Sequence, residues 1–123
     1  MGENEKTKIM FIMRKPPHGS IYAYEGLEAI LIMGAYEQEV SVVFIDDGVF
    51  ALKKEQDTKL LGVKEFSKTF AALEDYDITN IYADRESLEL RGLTVDDLII
   101  KPRVLEAEEI AKIMEEQHVL LPF

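Results

Sequence analysis

A three-layer α/β/α domain built on a mostly parallel five-stranded sheet is what the amino-acid sequence predicts. Short apolar runs with little polar alternation, Ile9-Met10-Phe11-Ile12-Met13 and Val40-Ser41-Val42-Val43-Phe44-Ile45, suit strands covered on both faces. Stretches with apolar residues at helical spacing separate these runs, and a strand–helix alternation implies crossover connections and parallel pairing. The 123 residues fit one domain, expected over 1–123 with residues 1–7 frayed.

In chain order, Lys8 to Met13 is the first strand, stopped by the basic, proline-rich turn Arg14-Lys15-Pro16-Pro17-His18-Gly19-Ser20. From Ile21 onward, Ala23, Leu27, Ile30, Leu31 and Gly34 share one face of a helix for which Ser20 is the expected N-cap. Val40 to Ile45 is a β-branched second strand, ended by the turn cluster Asp46-Asp47-Gly48. Val49 to Leu61 has no clean period and reads as a short helix plus a surface loop, while Phe66, Phe70 and Leu73 form a helical stripe. Ile78 to Ala83 is the third strand. Asp84 caps a helix through Leu90, Arg91 suits its carboxyl end, and Gly92 can take the left-handed conformation that ends it. Leu98-Ile99-Ile100 is expected as a fourth strand halted at Pro102. Ala107, Ile110, Ala111 and Met114 then line a helical face, and Val119-Leu120-Leu121 closes the sheet.

The composition narrows the chemistry. Twenty-four acidic against fourteen basic residues give a net charge of −10, which repels a phosphate backbone and argues against direct nucleic-acid binding. The sequence has no cysteine, so disulfides, thiolate–metal sites and any persulfide carried by this chain are excluded. No apolar run approaches the ~20 residues that span a bilayer, and the polar opening Met1-Gly2-Glu3-Asn4-Glu5-Lys6 is unlike a signal peptide; a cytoplasmic location without membrane contact is the expectation.

Candidate site residues gather at predicted strand ends, where open α/β sheets place their ligands. Arg14, Lys15 and His18 form a locally positive loop ahead of a helix, which either binds an anion or only shapes the turn. With His118 as the one other histidine, placed before the last strand and read as structural, an imidazole metal site is poorly supplied. Asp46 and Asp47 sit where paired carboxylates hold Mg²⁺ in phosphoacceptor receivers. The register is wrong for that, because a receiver's acidic pair follows its first strand. Tyr22, Tyr24, Tyr36 and Tyr82 are either exposed interface anchors or half-buried amphipathic residues. There is no GxGxxG, no P-loop and no GxSxG elbow, so neither a cofactor nor a metal is expected and no catalytic residue stands out.

Taken in order, Pro17-His18-Gly19-Ser20, Glu25-Gly26-Leu27-Glu28-Ala29-Ile30-Leu31, Val43-Phe44-Ile45-Asp46-Asp47-Gly48-Val49-Phe50, Tyr76-Asp77-Ile78 and Ser87-Leu88-Glu89-Leu90-Arg91-Gly92-Leu93 resemble the DsrE/DsrF-like family, in particular its TusC/DsrF-like subunits. The resemblance covers nearly the whole chain. It implies a noncatalytic subunit of a sulfur-relay assembly, with DsrE/TusD-like and DsrH/TusB-like chains as partners, serving tRNA 2-thiouridine synthesis or sulfur oxidation. In such assemblies the DsrE/TusD-like partner carries the sulfur-accepting cysteine near the end of its third strand, and the comparable stretch here, Tyr82-Ala83-Asp84-Arg85, has no thiol. Arg14, Lys15, His18 and Arg85 are then candidates to stabilise a partner's persulfide anion. The competing expectation is a stand-alone or homo-oligomeric domain that binds a small anion at the Arg14 to Ser20 loop.

Overall fold

The computed structural model describes residues 7–15, 22–35, 38–53, 73, 78, 80–98 and 100–123, with the side chains of 22–25, 27, 34 and 35 left aside. The elements are β1 (Lys8–Met13), α1 (Tyr22–Ala35), β2 (Glu39–Phe44), a 3₁₀ helix (Asp46–Leu52), β3 (Asn80–Asp84), α2 (Arg85–Leu90), a 3₁₀ turn (Val95–Asp97), β4 (Arg103–Leu105), α3 (Ala107–Glu115) and β5 (Val119–Pro122). The five strands lie in the order β4-β3-β2-β1-β5, and every neighbouring pair is parallel. The expected α/β fold is therefore present, with the two apolar runs as its central strands.

Side-chain alternation explains why those runs are apolar apart from the buried Ser41. Ile9, Phe11 and Met13 enter one buried cluster with Ile30 of α1 and Leu88 of α2, whereas Met10 and the half-buried Ile12 enter the other with Ile110, Ile113 and Met114 of α3. Both faces of β1 are thus covered, and its register with β2 (Phe11 opposite Val42) stacks fully buried residues side by side. Phe11 also stacks on Phe123, with ring centroids 5.9 Å apart. The β1–β5 pairing begins at His118, whose N–H donates to the Lys8 carbonyl at 2.8 Å while its Nδ1 accepts the Lys8 N–H at 2.8 Å. This accounts for His118 as a structural residue.

The fourth strand is a correction. Leu98 and Ile100 are buried, but Leu98 only bridges Lys53 and the strand that joins β3 is Arg103-Val104-Leu105. Pro102 precedes the strand instead of halting it, at a place where a missing N–H costs the ladder nothing. Asp46-Asp47-Gly48 likewise is more than a turn, because it opens the 3₁₀ helix that buries Val49, Ala51 and Leu52. Ser20, Tyr36, Phe66, Phe70 and Ile99 lie outside the described residues; Leu73 is fully buried.

Candidate functional site

The carboxyl ends of the strands form the candidate site, and the topology singles out one position along them. α2, which follows β3, packs into the cluster on one face, whereas α3, which follows β4, packs into the cluster on the other. The chain therefore leaves β3 and β4 toward opposite sides, the arrangement that opens a crevice at a switch point. Asp84-Arg85 and Glu106 follow directly from the ends of β3 and β4, and the Arg85 guanidinium pairs there with the Glu106 carboxylate. Each side chain is about half exposed, at 50% and 53%.

Asp84 is fixed by local geometry. It ends β3 in extended backbone, and its Oδ2 accepts the Ser87 N–H at 3.1 Å, capping α2. The Ser87 hydroxyl donates to the same oxygen at 2.7 Å and accepts the Asp46 N–H at 2.8 Å. Ser87, 4% exposed, thus joins the ends of β2 and β3. Asp46 sits at φ 51°, in the left-handed region that a residue with a Cβ seldom adopts. Its carboxylate faces Arg14 at the end of β1, at 3.4 Å, and the neighbouring Asp47 accepts from Arg91 Nε at 3.0 Å. Arg91 in turn donates to the Ser87 carbonyl at 3.1 Å.

Gly48 closes this arrangement from below. The Ile45 N–H donates to the Met13 carbonyl at 3.1 Å, and the chain then turns so closely over the end of β1 that a Cβ on Gly48 would lie 1.9 Å from the same carbonyl oxygen. Only hydrogen fits. The Asp-Asp-Gly cluster is therefore a packing device, with each carboxylate engaged by an arginine.

Of the candidate residues, Arg14, Asp46, Asp47 and Arg85 come together at the strand ends, each in an ion pair, and Lys15 is exposed beside them. His18 lies outside the described residues. Tyr82 is no exposed anchor: it is 7% exposed, packed with Leu105 and Ile110 and covered by the Arg103 guanidinium 5.8 Å from its ring centroid. Among the described residues no three His, Asp or Glu side chains are grouped to hold a metal ion, and no helix is long and apolar enough to cross a membrane. Glu106 and Ser87, the latter named only within the family-like motif, are not among the candidate site residues read from sequence. Ser87 had a local signal, since Asp84 and Ser87 stand three apart across a helix start; its bond to Asp46, 41 residues away, had none.

Comparison with known proteins places this geometry in context. The DsrE/DsrF-like family model matches residues 7–123. The chain is 52% identical over 103 residues to the intracellular sulfur oxidation protein DsrF of Allochromatium vinosum, covering 83% of this chain and 76% of that one. It is 33% identical over 117 residues to a TusC homolog of Vibrio vulnificus, covering 95% and 99%. The fold superposes on the crystal structure of the ychN protein from E. coli with a TM-score of 0.83, at 17% identity and over 95% and 99% of the two chains.

Proposed function

The chain belongs to the DsrE/DsrF-like family, and on that premise we propose that it is a noncatalytic, single-domain subunit of an intracellular sulfur-relay complex, in which a cysteine-bearing partner performs persulfide transfer. The observation that carries the proposal is the 52% identity to a protein named for intracellular sulfur oxidation. Because that figure exceeds the 33% to the TusC homolog, sulfur oxidation is favoured over tRNA thiolation as the surrounding chemistry.

The chemistry of the chain supports the subunit role. Sulfur relay requires a thiolate that attacks a persulfide sulfur, and the sequence contains no cysteine. At the end of β3, Asp84 is committed to capping α2 and the Ser87 hydroxyl to the two aspartates around it. What the chain contributes is a folded surface for DsrE/TusD-like and DsrH/TusB-like partners. A small-anion role for the loop after β1 is less well supported, because Arg14 already faces a carboxylate.

Native mass spectrometry of the protein, alone and mixed with DsrE-like and DsrH-like chains of the same source, tests the proposal. A stoichiometric hetero-oligomer is the expected result. A monomer or closed homo-oligomer that ignores those chains would overturn the subunit reading and return attention to anions at the Arg14 to Ser20 loop.

A further inference from the structure

The two faces of the sheet are covered unequally. The steps from β1 to β2 and from β3 to β4 run one way across the sheet and carry α1 and α2 on one face, whereas the step from β4 to β5 runs back and carries α3 on the other. Five strands at ~4.8 Å spacing span about 19 Å, room for two helices about 10 Å apart. Among the described residues, α3 is the one helix packed on its face. Its Ile110, Ile113 and Met114 close over Met10, Val43, Tyr82 and Leu105, which are buried. On the same face Ile12 and Ile45 are half-buried, Leu120 is 43% exposed and Pro122 is exposed. Ile12 stands opposite Pro122, and Met10 opposite Leu120, so the open residues form one apolar floor along the carboxyl ends of β2, β1 and β5.

α3 supplies a wall beside this floor. A right-handed crossover from β4 to β5 turns toward β1 and β5 the flank of α3 that carries Ala107 and Ala111, both exposed. Glu108 and Glu115, two turns apart and exposed, form the shoulder above the alanines. We propose that the lane between this wall and the β5 edge receives a helix of a different chain, apolar along the stripe that meets the floor and carrying lysine or arginine where it passes Glu108 and Glu115. The two alanines let the helix axes approach closely. A second copy does not fit: its α3, antiparallel in the lane, would set glutamate against glutamate between chains that each carry a net charge of −10. The inference rests on the subunit reading and assigns the face by which the chain docks.

Sedimentation titration of this protein with DsrE-like and DsrH-like chains of the same source is the test. Leu120→Glu places a carboxylate in the floor and should weaken assembly about tenfold or more. Glu108→Lys combined with Glu115→Lys should weaken it about threefold or more at low salt, with the difference shrinking at ~0.5 M salt. Leu90→Glu on α2, against the opposite face and 75% exposed, is the control and should leave the affinity unchanged. If Leu120→Glu does not fold, the lysine pair, placed at exposed positions, decides alone. Wild-type affinity in Leu120→Glu, or equal weakening by Leu90→Glu, overturns the docking face and leaves the subunit reading standing. A wild type that ignores both chains overturns the two readings together. Self-association of the wild type that Leu120→Glu disperses overturns the partner helix in favour of a second copy.

Discussion

Replacing Gly48 by alanine tests a close backbone approach at the carboxyl ends of the strands. The new Cβ would stand 1.9 Å from the Met13 oxygen, 2.6 Å from its carbonyl carbon and 3.1 Å from the Arg14 nitrogen, all of them backbone atoms. Reaching ordinary contact requires the 3₁₀ helix to retreat by roughly 1 Å or more. That retreat stretches the Ile45 N–H bond to Met13 and the Asp46 N–H bond to Ser87, at 3.1 and 2.8 Å, and disturbs the buried Val49, Ala51 and Leu52. At about 1 kcal/mol per hydrogen bond and about 1–3 kcal/mol for overpacking, the expected loss is about 3–5 kcal/mol. Against a total stability of about 5–15 kcal/mol, this is a large fraction. With a urea m-value near ~1.5 kcal/mol/M, the unfolding midpoint should fall by about 2–3 M. Gly92 provides the internal control, since it has φ +67° and nothing within 4 Å of a built Cβ. Gly92→Ala should therefore cost only the conformational strain, about 1 kcal/mol. A Gly48→Ala midpoint within about 0.5 M of the wild type would refute the steric reasoning.

Two further substitutions separate flexible from rigid neighbours and test the capping residue. Gly26→Ala in α1 places its Cβ 2.9 Å from Met13 Cε and 3.1 Å from Phe123 Cγ, but the methionine tip can move; with the helix propensity gain offsetting the crowding, urea unfolding should change by less than about 1 kcal/mol. Asp84→Ala removes the cap of α2 and the anchor of the Ser87 hydroxyl together. Denaturant titration should show a loss of about 1–2 kcal/mol, and a loss under about 0.3 kcal/mol would mean that the cap contributes nothing.

Most of the fold is legible in the sequence because its determinants are local. β1 holds an apolar run from Ile9 to Met13 and β2 one broken only by the buried Ser41, α2 carries its cap at Asp84 and its terminator at Gly92, and the stripe of α3 falls at helical spacing. β4 is misread because buried apolar residues and strand pairing are different things: Leu98 and Ile100 fill the core, while the exposed Arg103 opens the strand. The site is less legible. The positions of Arg14, Asp46, Asp47 and Arg85 follow from strand ends, but their pairing depends on backbone geometry, including a left-handed aspartate that no composition announces. For Tyr82 the sequence leaves exposed anchor and buried amphipathic residue open, because only the packing of α3 and Arg103 over the ring decides for the second.

The position of β1 between β2 and β5 has a consequence for how the protein is born. β1 meets β2 early, but its other edge is satisfied only by Val119–Pro122, and the bonds that start this pairing join residues 110 positions apart. At a synthesis rate of ~5–20 residues per second, a nascent chain would carry that edge open for roughly 5–20 s. During that interval Ile9 and Phe11 present an unpaired apolar strand beside the ribosome. Closure is a long-range event with a correspondingly slow search. Translation speed and chaperone access should therefore affect the yield of this protein.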